Sequence, residues 1–156
     1  MTKIISKKKF LSIKKKIKSN NKIIVMTNGC FDIIHPGHID IFEKSKKLGD
    51  LLVVLVNSDR SIRMLKGKKR PILKQHERLK ILNAIQVIDY IILFNTQTPE
   101  KIYKELMPDI LTKGSQYKKD AIAGSAYIQK NGGKIFLIPM LGSYSTTKLI
   151  KKIKSL

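Results

Sequence analysis

The stretch that decides the fold spans residues 23–38 and reads I-I-V-M-T-N-G-C-F-D-I-I-H-P-G-H. Its apolar start, from Ile23 to Met26, predicts a buried strand, and a helix pattern begins at Pro36 and Gly37 after a short turn. Proline suits the first helical position because the N–H that it lacks would have no partner there. The stretch therefore predicts a strand, a tight turn and a helix.

Two histidines stand at the start of this predicted helix. His35 and His38 are three residues apart, so both rings lie on one side of the first turn, beside backbone N–H groups that have no intrahelical partner. A helix N-terminus of this kind binds anions. Gly29, just after the strand, lets the backbone approach a phosphate. The alternative is that one histidine caps the helix and the other is packed, but a pair placed after a strand favours an anion site.

The remaining chain alternates between short apolar runs and helical patterns. Glycines 49, 132 and 133 are expected to end helices in the left-handed conformation, and Thr98 to cap a helix whose first residue is Pro99. The alternation predicts an α/β fold, a Rossmann-like open parallel five-stranded sheet with helices on both faces. Strands are predicted at 23–27, 51–57, 90–94, 110–113 and 134–139, and helices at 37–47, 75–84, 99–106, 120–130 and 146–154.

The N-terminal residues form a separate pattern. Residues 6–19 predict a basic amphipathic helix with Phe10, Ile13 and Ile17 on one side. We expect this helix to pack on the domain, because its apolar side is short for a helix that lies on a membrane surface. The predicted organisation is a basic N-terminal helix at 1–21 followed by the α/β domain at 22–156.

The formal net charge of +21 is the most prominent compositional feature. A strongly basic chain binds polyanions non-specifically. The excess of positive charge comes nearly all from lysines spread along the chain. Proteins that read bases instead favour bidentate arginine contacts and aromatic side chains that stack on bases. We therefore expect no specific nucleic-acid partner, and a lysine-rich nucleic-acid-binding domain remains the non-enzyme alternative.

The sequence also indicates the cellular compartment. No apolar run approaches the roughly 20 residues that span a bilayer, and no signal-peptide pattern begins the chain. The single cysteine, Cys30, does not suit a disulfide scaffold. These features predict a cytoplasmic protein without a transmembrane segment.

Polar and basic residues follow several of the predicted strands. Because ligands bind beyond the carboxyl ends of parallel strands, these residues predict a phosphate site at one edge of the sheet. The dinucleotide G-x-G-x-x-G and Walker G-x-x-x-x-G-K-[ST] patterns are absent after the first strand, which disfavours a nicotinamide enzyme or a P-loop kinase. The loops concerned are 28–38, 57–59, 66–70, 113–117 and 143–147.

Several motifs together resemble one family. The stretches of this chain that are similar to the family's motifs are T-N-G-C-F-D-I-I-H-P-G-H, L-G-D-L-L-V-V-L-V-N-S-D, L-K-G-K-K-R-P, T-P-E-K-I, P-D-I-L-T-K-G, I-A-G-S, N-G-G-K-I and S-T-T-K-L-I-K-K-I. The chain resembles the cytidylyltransferase-like nucleotidyltransferase superfamily and, more narrowly, the ADP-heptose synthase family of D-glycero-β-D-manno-heptose 1-phosphate adenylyltransferases. The resemblance runs from about Lys22 to Ile153.

The resemblance implies transfer of AMP from ATP to heptose 1-phosphate with Mg²⁺, which gives ADP-heptose and pyrophosphate for the lipopolysaccharide inner core, in a homodimer. It implies catalytic roles for His35, His38 and Lys66. Lys68 or Lys69 is the alternative to Lys66. Ser145, Thr146 and Thr147 would hold the β- and γ-phosphates. The other implied nucleotide contacts are Thr27, Asn28, Gly29, Cys30, Phe31, Gly37, Asn57, Ser58, Lys68, Lys113 and Gly114.

Two departures from the family leave alternatives open. The family's K-G-G-D-Y is K-G-S-Q-Y here, from Lys113 to Tyr117, and the acid-glycine pair before S-T-T is replaced by G-S-Y at 142–144. The lost acid leaves the choice between ATP and CTP open, so a glycerol-3-phosphate cytidylyltransferase and a homologue that binds nucleotide without turnover remain alternatives. The chain is too short for the sugar-kinase domain of bifunctional relatives, so we expect a separate kinase.

Overall fold

The structure is a computed structural model that describes residues 2–142 and 144–156. In these residues no helix is long and apolar enough to cross a bilayer. The strands are β1 (Ile24–Gly29), β2 (Leu51–Asn57), β3 (Tyr90–Phe94), β4 (Ile110–Gly114) and β5 (Lys134–Ile138). The helices are α1 (Lys7–Ser19), α2 (Pro36–Lys46), α3 (Asp59–Lys66), α4 (Gln75–Ala84), α5 (Glu100–Leu106), α6 (Ser125–Lys130) and α7 (Thr146–Lys154), with a 3₁₀ turn at Lys119–Ala121.

The five strands form one parallel sheet in the order β3-β2-β1-β4-β5. The chain winds outward from β1 to β3 and then crosses back to place β4 and β5 on the other side of β1. This reversal puts a crevice at the carboxyl ends of β1 and β4, the place where open parallel sheets bind ligands. The predicted Rossmann-like parallel sheet is confirmed.

Each face of the sheet has its own hydrophobic core, because successive strand residues point to opposite sides. On one side, Ile24 packs with Tyr103 of α5 and with residues of α6; we call this side the α5 face. On the other side, Val25 packs with Phe42 of α2 and Leu82 of α4; we call this side the α2 face. The prediction of helices on both faces is confirmed.

Helix α1 packs on the α5 face through its predicted apolar stripe. Phe10 is fully buried, and its ring meets Tyr90 edge-on with centroids 5.7 Å apart. Ile13 and Ile17 pack against the same core. The apolar side of the helix is therefore used inside the molecule, as expected. The division into 1–21 and 22–156 stays a prediction.

The predicted helices differ from the structure in two places. Helix α3 was not predicted; its N-cap is Ser58, whose hydroxyl accepts the N–H of Ser61. The helix predicted over 120–130 begins only at Ser125. Gly124, with φ of +81°, holds a left-handed conformation that a regular helix excludes, so only a 3₁₀ turn forms before it.

Two boundary signals also differ from prediction. Helix α5 begins at Glu100, and Pro99 rather than Thr98 occupies its N-cap position, with no side-chain capping bond. Gly49 does not have a positive φ. A Cβ on Gly49 would lie 2.7 Å from Cγ2 of Val25, so close packing explains this glycine. Gly132, with φ of +85°, is left-handed as predicted.

The other predicted helix-ending glycine has a similar explanation to Gly49. Gly133 does not have a positive φ. A Cβ on Gly133 would lie 2.5 Å from Cγ2 of Ile128, so a side chain would collide with α6. Close packing therefore explains this position too.

Candidate active site

Helix α2 is fixed to the sheet below the site by a buried polar contact. The hydroxyls of Ser45 on α2 and Thr112 on β4 are 2.7 Å apart, and both residues are fully buried. The N-terminus of α2 projects over the carboxyl end of β1, because the loop from β1 leads directly into it. Pro36 is the first helical residue, as predicted. The start of α2 is therefore held over the sheet edge by a rigid element.

His35 and His38 stack against each other at the start of α2. Their ring centroids are 3.7 Å apart and the ring planes differ by 19°. His35 stands in the N-cap position, but its side chain makes no capping bond, which contradicts the capping alternative. The Nδ1 atoms of both rings are buried without a hydrogen-bond partner among the described residues. Buried polar atoms are rarely left unpaired, so these nitrogens are suited to a hydrogen-bonding ligand.

Burial keeps both imidazoles uncharged. Desolvation, helped by His35 and the positive charge of Lys66, lowers the pKa of His38 to about 3. Desolvation also lowers the pKa of His35 below its usual 6.5, although the residue's own backbone partly opposes the shift. Each ring is thus neutral at pH 7 and carries one N–H donor. The positive end of the α2 dipole lies beside them, which favours a negatively charged ligand.

Lys66, the last residue of α3, is the predicted lysine whose charge acts on His38. It contributes to the low pKa of His38. Burial raises the pKa of the Cys30 thiol, and the charge of Lys66 opposes that rise. Lys68 and Lys69 follow in an exposed turn and are not among the charges that shift His38. Of the three candidate lysines, Lys66 is the one whose charge acts on His38, and the catalytic role of any of the three stays a prediction.

Asp32 holds the segment after α3 against the loop that carries the histidines. Its carboxylate is 1% exposed and accepts the backbone N–H groups of Ile72 and Leu73, each at 2.9 Å. The Nε of Arg70 donates to it at 2.7 Å. Burial alone would raise the pKa of Asp32, but these hydrogen bonds outweigh it and hold the pKa below 3.8. The Nη2 of Arg70 is buried without a partner among the described residues.

Arg78 ties three segments of the site together, and the sequence analysis gave it no role. Its guanidinium is fully buried in α4. It donates to the Cys30 carbonyl at 2.6 Å, the Leu73 carbonyl at 3.2 Å and the Asp59 carboxylate at 2.9 Å. The histidine loop, the segment after α3 and the start of α3 are therefore fixed to one side chain. Partners 5 to 48 residues away give no local sequence signal.

Several predicted nucleotide contacts are engaged within the fold. The Thr27 hydroxyl donates to the Thr112 carbonyl at 3.1 Å, and Asn57, 3% exposed, donates to the Ser61 hydroxyl at 2.8 Å. Ser58, 2% exposed, caps α3. Their positions at strand ends agree with the prediction, and their contacts with a nucleotide stay predictions.

The predicted glycines and Phe31 shape the loop over β1. A Cβ on Gly29 would lie 2.9 Å from the ring of Phe31, so the buried phenylalanine occupies the space that the missing side chain leaves. The Phe31 ring meets His38 edge-on, with centroids 5.3 Å apart. A Cβ on Gly37 would lie 3.2 Å from the His35 ring. These residues therefore fix the position of the histidine rings.

The carboxyl end of β4 carries a second part of the site. The Nζ of Lys113 donates to the Asn28 carbonyl at 3.1 Å and lies 5.2 Å from the centroid of the Tyr117 ring. The Asn28 side chain accepts the hydroxyl of the buried Tyr103. Burial lowers the pKa of Lys113 to about 8, although Cys30 opposes the shift.

Gly114 and Gln116 follow Lys113. A Cβ on Gly114 would lie 2.2 Å from Oε1 of Gln116. The side chain that replaces the family's acid therefore folds back over this glycine. The loop has no room for a side chain at position 114.

The hydroxyl triplet lies close to the histidines through its neighbour in sequence. The Tyr144 ring stacks near His35, with centroids 6.2 Å apart, and Ser145 directly follows it as the N-cap of α7. The Ser145 hydroxyl accepts the N–H of Lys148 at 3.1 Å, so it caps the helix. Thr146 and Thr147 form the first turn. The predicted loop residue Ser143 lies outside the described residues.

The fold and the site together indicate a class of protein. The sheet is parallel with the order β3-β2-β1-β4-β5, and it carries two stacked imidazoles at a helix start and cations on flanking loops. These features are typical of α/β enzymes that act on phosphates. A family model described as cytidylyltransferase-like matches residues 26–152. The chain belongs to the cytidylyltransferase-like family, and with it to the nucleotidyltransferases.

The chain is also similar to individual known proteins. The chain is 43% identical over 139 residues to the bifunctional protein HldE of Desulfatibacillum aliphaticivorans, covering 89% of this chain and 28% of that protein. It is 45% identical over 139 residues to HldE of Haemophilus influenzae strain KW20, covering 89% and 29%. It thus spans under a third of the length of these relatives.

A solved structure is similar along nearly its whole chain. The lipopolysaccharide core biosynthesis protein from Thermoplasma volcanium GSS1 has 37% sequence identity and a TM-score of 0.64. The match covers 80% of this chain and 99% of that one. The fold is therefore shared with a protein whose chain aligns almost in full with four fifths of this one.

Proposed function

We propose that this protein transfers the adenylyl group of ATP to D-glycero-β-D-manno-heptose 1-phosphate, giving ADP-heptose and pyrophosphate for the lipopolysaccharide inner core. The observation that carries the proposal is the stacked His35–His38 pair, whose buried Nδ1 atoms have no partner among the described residues, at the start of α2. The relatives named HldE and the lipopolysaccharide core biosynthesis neighbour support the choice of sugar.

The chemistry needs positioning and charge stabilisation more than a base. A sugar phosphate has a second pKa near 6, so at pH 7 it is mostly a dianion and already a nucleophile. Its oxygen forms a bond to the α-phosphorus of ATP, while the bond from that phosphorus to the bridging oxygen breaks. Pyrophosphate leaves with the electron pair. The protein has to align the two phosphates and stabilise negative charge on the leaving group.

We assign the leaving group to the α2 face. The neutral rings of His35 and His38 each supply an N–H donor, and the start of α2 adds backbone donors. Lys66 supplies a positive charge, and the buried Nη2 of Arg70, which has no partner among the described residues, supports a further phosphate contact. Ser145, Thr146 and Thr147 would donate to the β- and γ-phosphates.

The resemblance also implies Mg²⁺, which prefers carboxylate and water oxygens. The histidines are surrounded by imidazole, ammonium and hydroxyl groups. Of the two carboxylates that line the groove beside His35, Asp40 already pairs with Lys44 at 2.8 Å, which leaves Glu43. The Asp32 carboxylate is 1% exposed and already accepts three N–H donors. No group of three or more His, Cys, Asp or Glu side chains gathers in the described part of the chain. These residues do not fit a protein-held Mg²⁺, so we assign it no ligand here.

We further propose that the enzyme works in the cytoplasm, where ATP is available, and forms a homodimer as the family resemblance implies. Gel filtration with light scattering measures the oligomeric state directly. A monomer at assay concentration would contradict the dimer and leave the proposed reaction untouched.

The proposed reaction is tested by pyrophosphate release from the purified chain. ATP and CTP are each paired with heptose 1-phosphate and with glycerol 3-phosphate. We expect release with ATP and heptose 1-phosphate at least ten times faster than with any other pair. Release that is fastest with CTP and glycerol 3-phosphate would instead identify a glycerol-3-phosphate cytidylyltransferase, and no release with any pair would identify a homologue without turnover.

A second assay addresses the basic composition. We expect any binding of DNA or RNA to be weak and to disappear with added salt. Tight binding that survives the double substitution His35→Ala and His38→Ala would favour the lysine-rich nucleic-acid-binding alternative.

A further inference from the structure

Lys113 lies on the opposite face of the sheet from the histidine pair. Leu111, two residues before it on β4, belongs to the core of the α5 face, and side chains two apart on a strand share a face. Asn28, whose carbonyl accepts from Lys113, turns its own side chain toward Tyr103 of the same face. The histidines instead stand on α2, whose Phe42 packs with Phe31 on the α2 face. The crevice between β1 and β4 thus has a cation on one side and two imidazoles on the other.

Lys113 has no carboxylate partner among the described residues. Each of the eight ion pairs in this part of the chain involves other side chains. Its contacts are a carbonyl oxygen and an aromatic ring, which leave two of the three ammonium protons free. Its low pKa shows that burial disfavours the uncompensated charge. A bound anion would supply the missing negative charge.

The geometry of phosphoryl transfer decides which anion this is. The attacking and leaving oxygens lie roughly in line on opposite sides of the phosphorus. If pyrophosphate departs toward the histidines on the α2 face, the nucleophile arrives from the α5 face. We propose that Lys113 binds the phosphate of the acceptor sugar, the nucleophile of the reaction, and aligns it for attack. This inference rests on the proposed function and assigns Lys113 to the acceptor instead of the nucleotide.

The test separates the two substrates by steady-state kinetics. Lys113→Met removes the charge and keeps a long apolar side chain. A charge-assisted hydrogen bond contributes about 1.5–3 kcal/mol, so we expect KM for heptose 1-phosphate to rise roughly 10- to 100-fold. KM for ATP should stay within about twofold, because uniform binding of the nucleotide is untouched. Lys113→Arg, which keeps the charge, should recover part of the acceptor affinity.

Controls distinguish the inference from the proposed function. Lys118→Met removes an exposed lysine five residues away and should change neither KM. Calorimetric titration of heptose 1-phosphate alone into the wild type and Lys113→Met requires no turnover. If the wild type releases pyrophosphate and Lys113→Met keeps the acceptor KM, or loses ATP affinity instead, the inference is overturned and the function stands. If the wild type is inactive but binds heptose 1-phosphate more tightly than the variant does, Lys113 binds a sugar phosphate but the proposed reaction, and the alignment for attack with it, fails.

Discussion

The two sides of the crevice offer an anion different groups. On the α2 face, His35 and His38 are uncharged at pH 7 and offer N–H donors, and the positive charge of Lys66 acts on His38. On the α5 face, Lys113 is a cation near its pKa of about 8 and has no carboxylate partner among the described residues.

This difference matches the two roles that the reaction requires. A leaving pyrophosphate gains negative charge during the reaction, and neutral donors can strengthen their bonds as that charge grows. A nucleophile loses charge as it attacks and needs placement more than stabilisation. In the proposed reaction, the sheet therefore separates the two substrates by face as well as by loop.

The largest expected effect comes from removing a donor on the α2 face. His38→Ala should reduce the rate of pyrophosphate release by about 10² to 10³, because the leaving group loses a hydrogen bond that strengthens in the transition state. The variant should fold normally, since the His38 ring makes no hydrogen bond through Nδ1 in the described structure. Turnover is measured at saturating concentrations of both substrates.

His76→Ala is the matched control, because His76 is an exposed histidine of α4. It should leave turnover unchanged. An unchanged rate in His38→Ala would remove the histidine pair from the chemistry and, with it, the contrast between the two faces.

A second expected effect concerns the scaffold of the α2 face. Arg78→Met should lower the free energy of unfolding by about 3 kcal/mol, because the Asp59 carboxylate and two carbonyls lose a buried guanidinium partner. Urea denaturation measures the change. Arg60→Met, an exposed arginine of α3, should alter stability by less than about 0.5 kcal/mol. Equal effects of the two substitutions would show that Arg78 does not hold the site together.

The sheet was predictable because it depends on local patterns. The runs that became β1 to β5 are apolar and lie between helical patterns, and parallel strands buried on both faces have that appearance. The His35–His38 pair was predictable for the same reason, since a spacing of three places both rings on one side of a helix turn. Structural features that depend only on residues close together in the chain can therefore be inferred from the sequence.

The features that the sequence did not predict depend on contacts between residues far apart in the chain. Helix α3 has eight residues, and it is stabilised by contacts such as the Ser61 hydroxyl with the Thr96 carbonyl, 35 residues away. Arg78 reaches Cys30 across 48 residues. The position of Lys113 relative to the histidines follows from strand order and the side of the sheet, neither of which a motif specifies. Sequence therefore indicates which residues line the edge, and the fold determines how they are paired.

A smaller effect is expected in the pH dependence of stability. The pKa of His38 falls from 6.5 to about 3 on folding, so between these values the unfolded chain binds more protons. The contribution of neutral His38 to the free energy of unfolding is fully present above pH 6.5 and is lost as the pH falls toward 3. His35, whose pKa is also lowered, acts in the same direction. The pKa values of Asp32 and Asp50 are also low when folded, but their effect begins near 3.8 and below.

The window from pH 6.5 to about 4.5 therefore reports mainly on the histidines. The free energy of unfolding should decrease across this window in the wild type, and His38→Gln should show a weaker slope. Chemical denaturation at a series of pH values measures both. Identical slopes would mean that His38 is not buried in its neutral form.

The smallest expected effect compares two helix caps that differ in what their helices bury. Ser6 caps α1 and Ser145 caps α7, each accepting a backbone N–H at 3.1 Å. Loss of such a cap costs about 1 kcal/mol of helix stability. Helix α1 buries Phe10 in the core, whereas α7 has no buried residue. Ser6→Ala should therefore lower global stability, and Ser145→Ala should instead speed amide hydrogen exchange in α7 alone.

Activity then shows whether this local order matters. If Thr146 and Thr147 hold the β- and γ-phosphates, loosening α7 raises KM for ATP by up to about fivefold, because 1 kcal/mol corresponds to that factor. KM for heptose 1-phosphate should not change, since we assign its phosphate to the other face. A rise in the KM of the acceptor alone would place the hydroxyl triplet on the wrong side of the crevice and would reverse the assignment of the two faces.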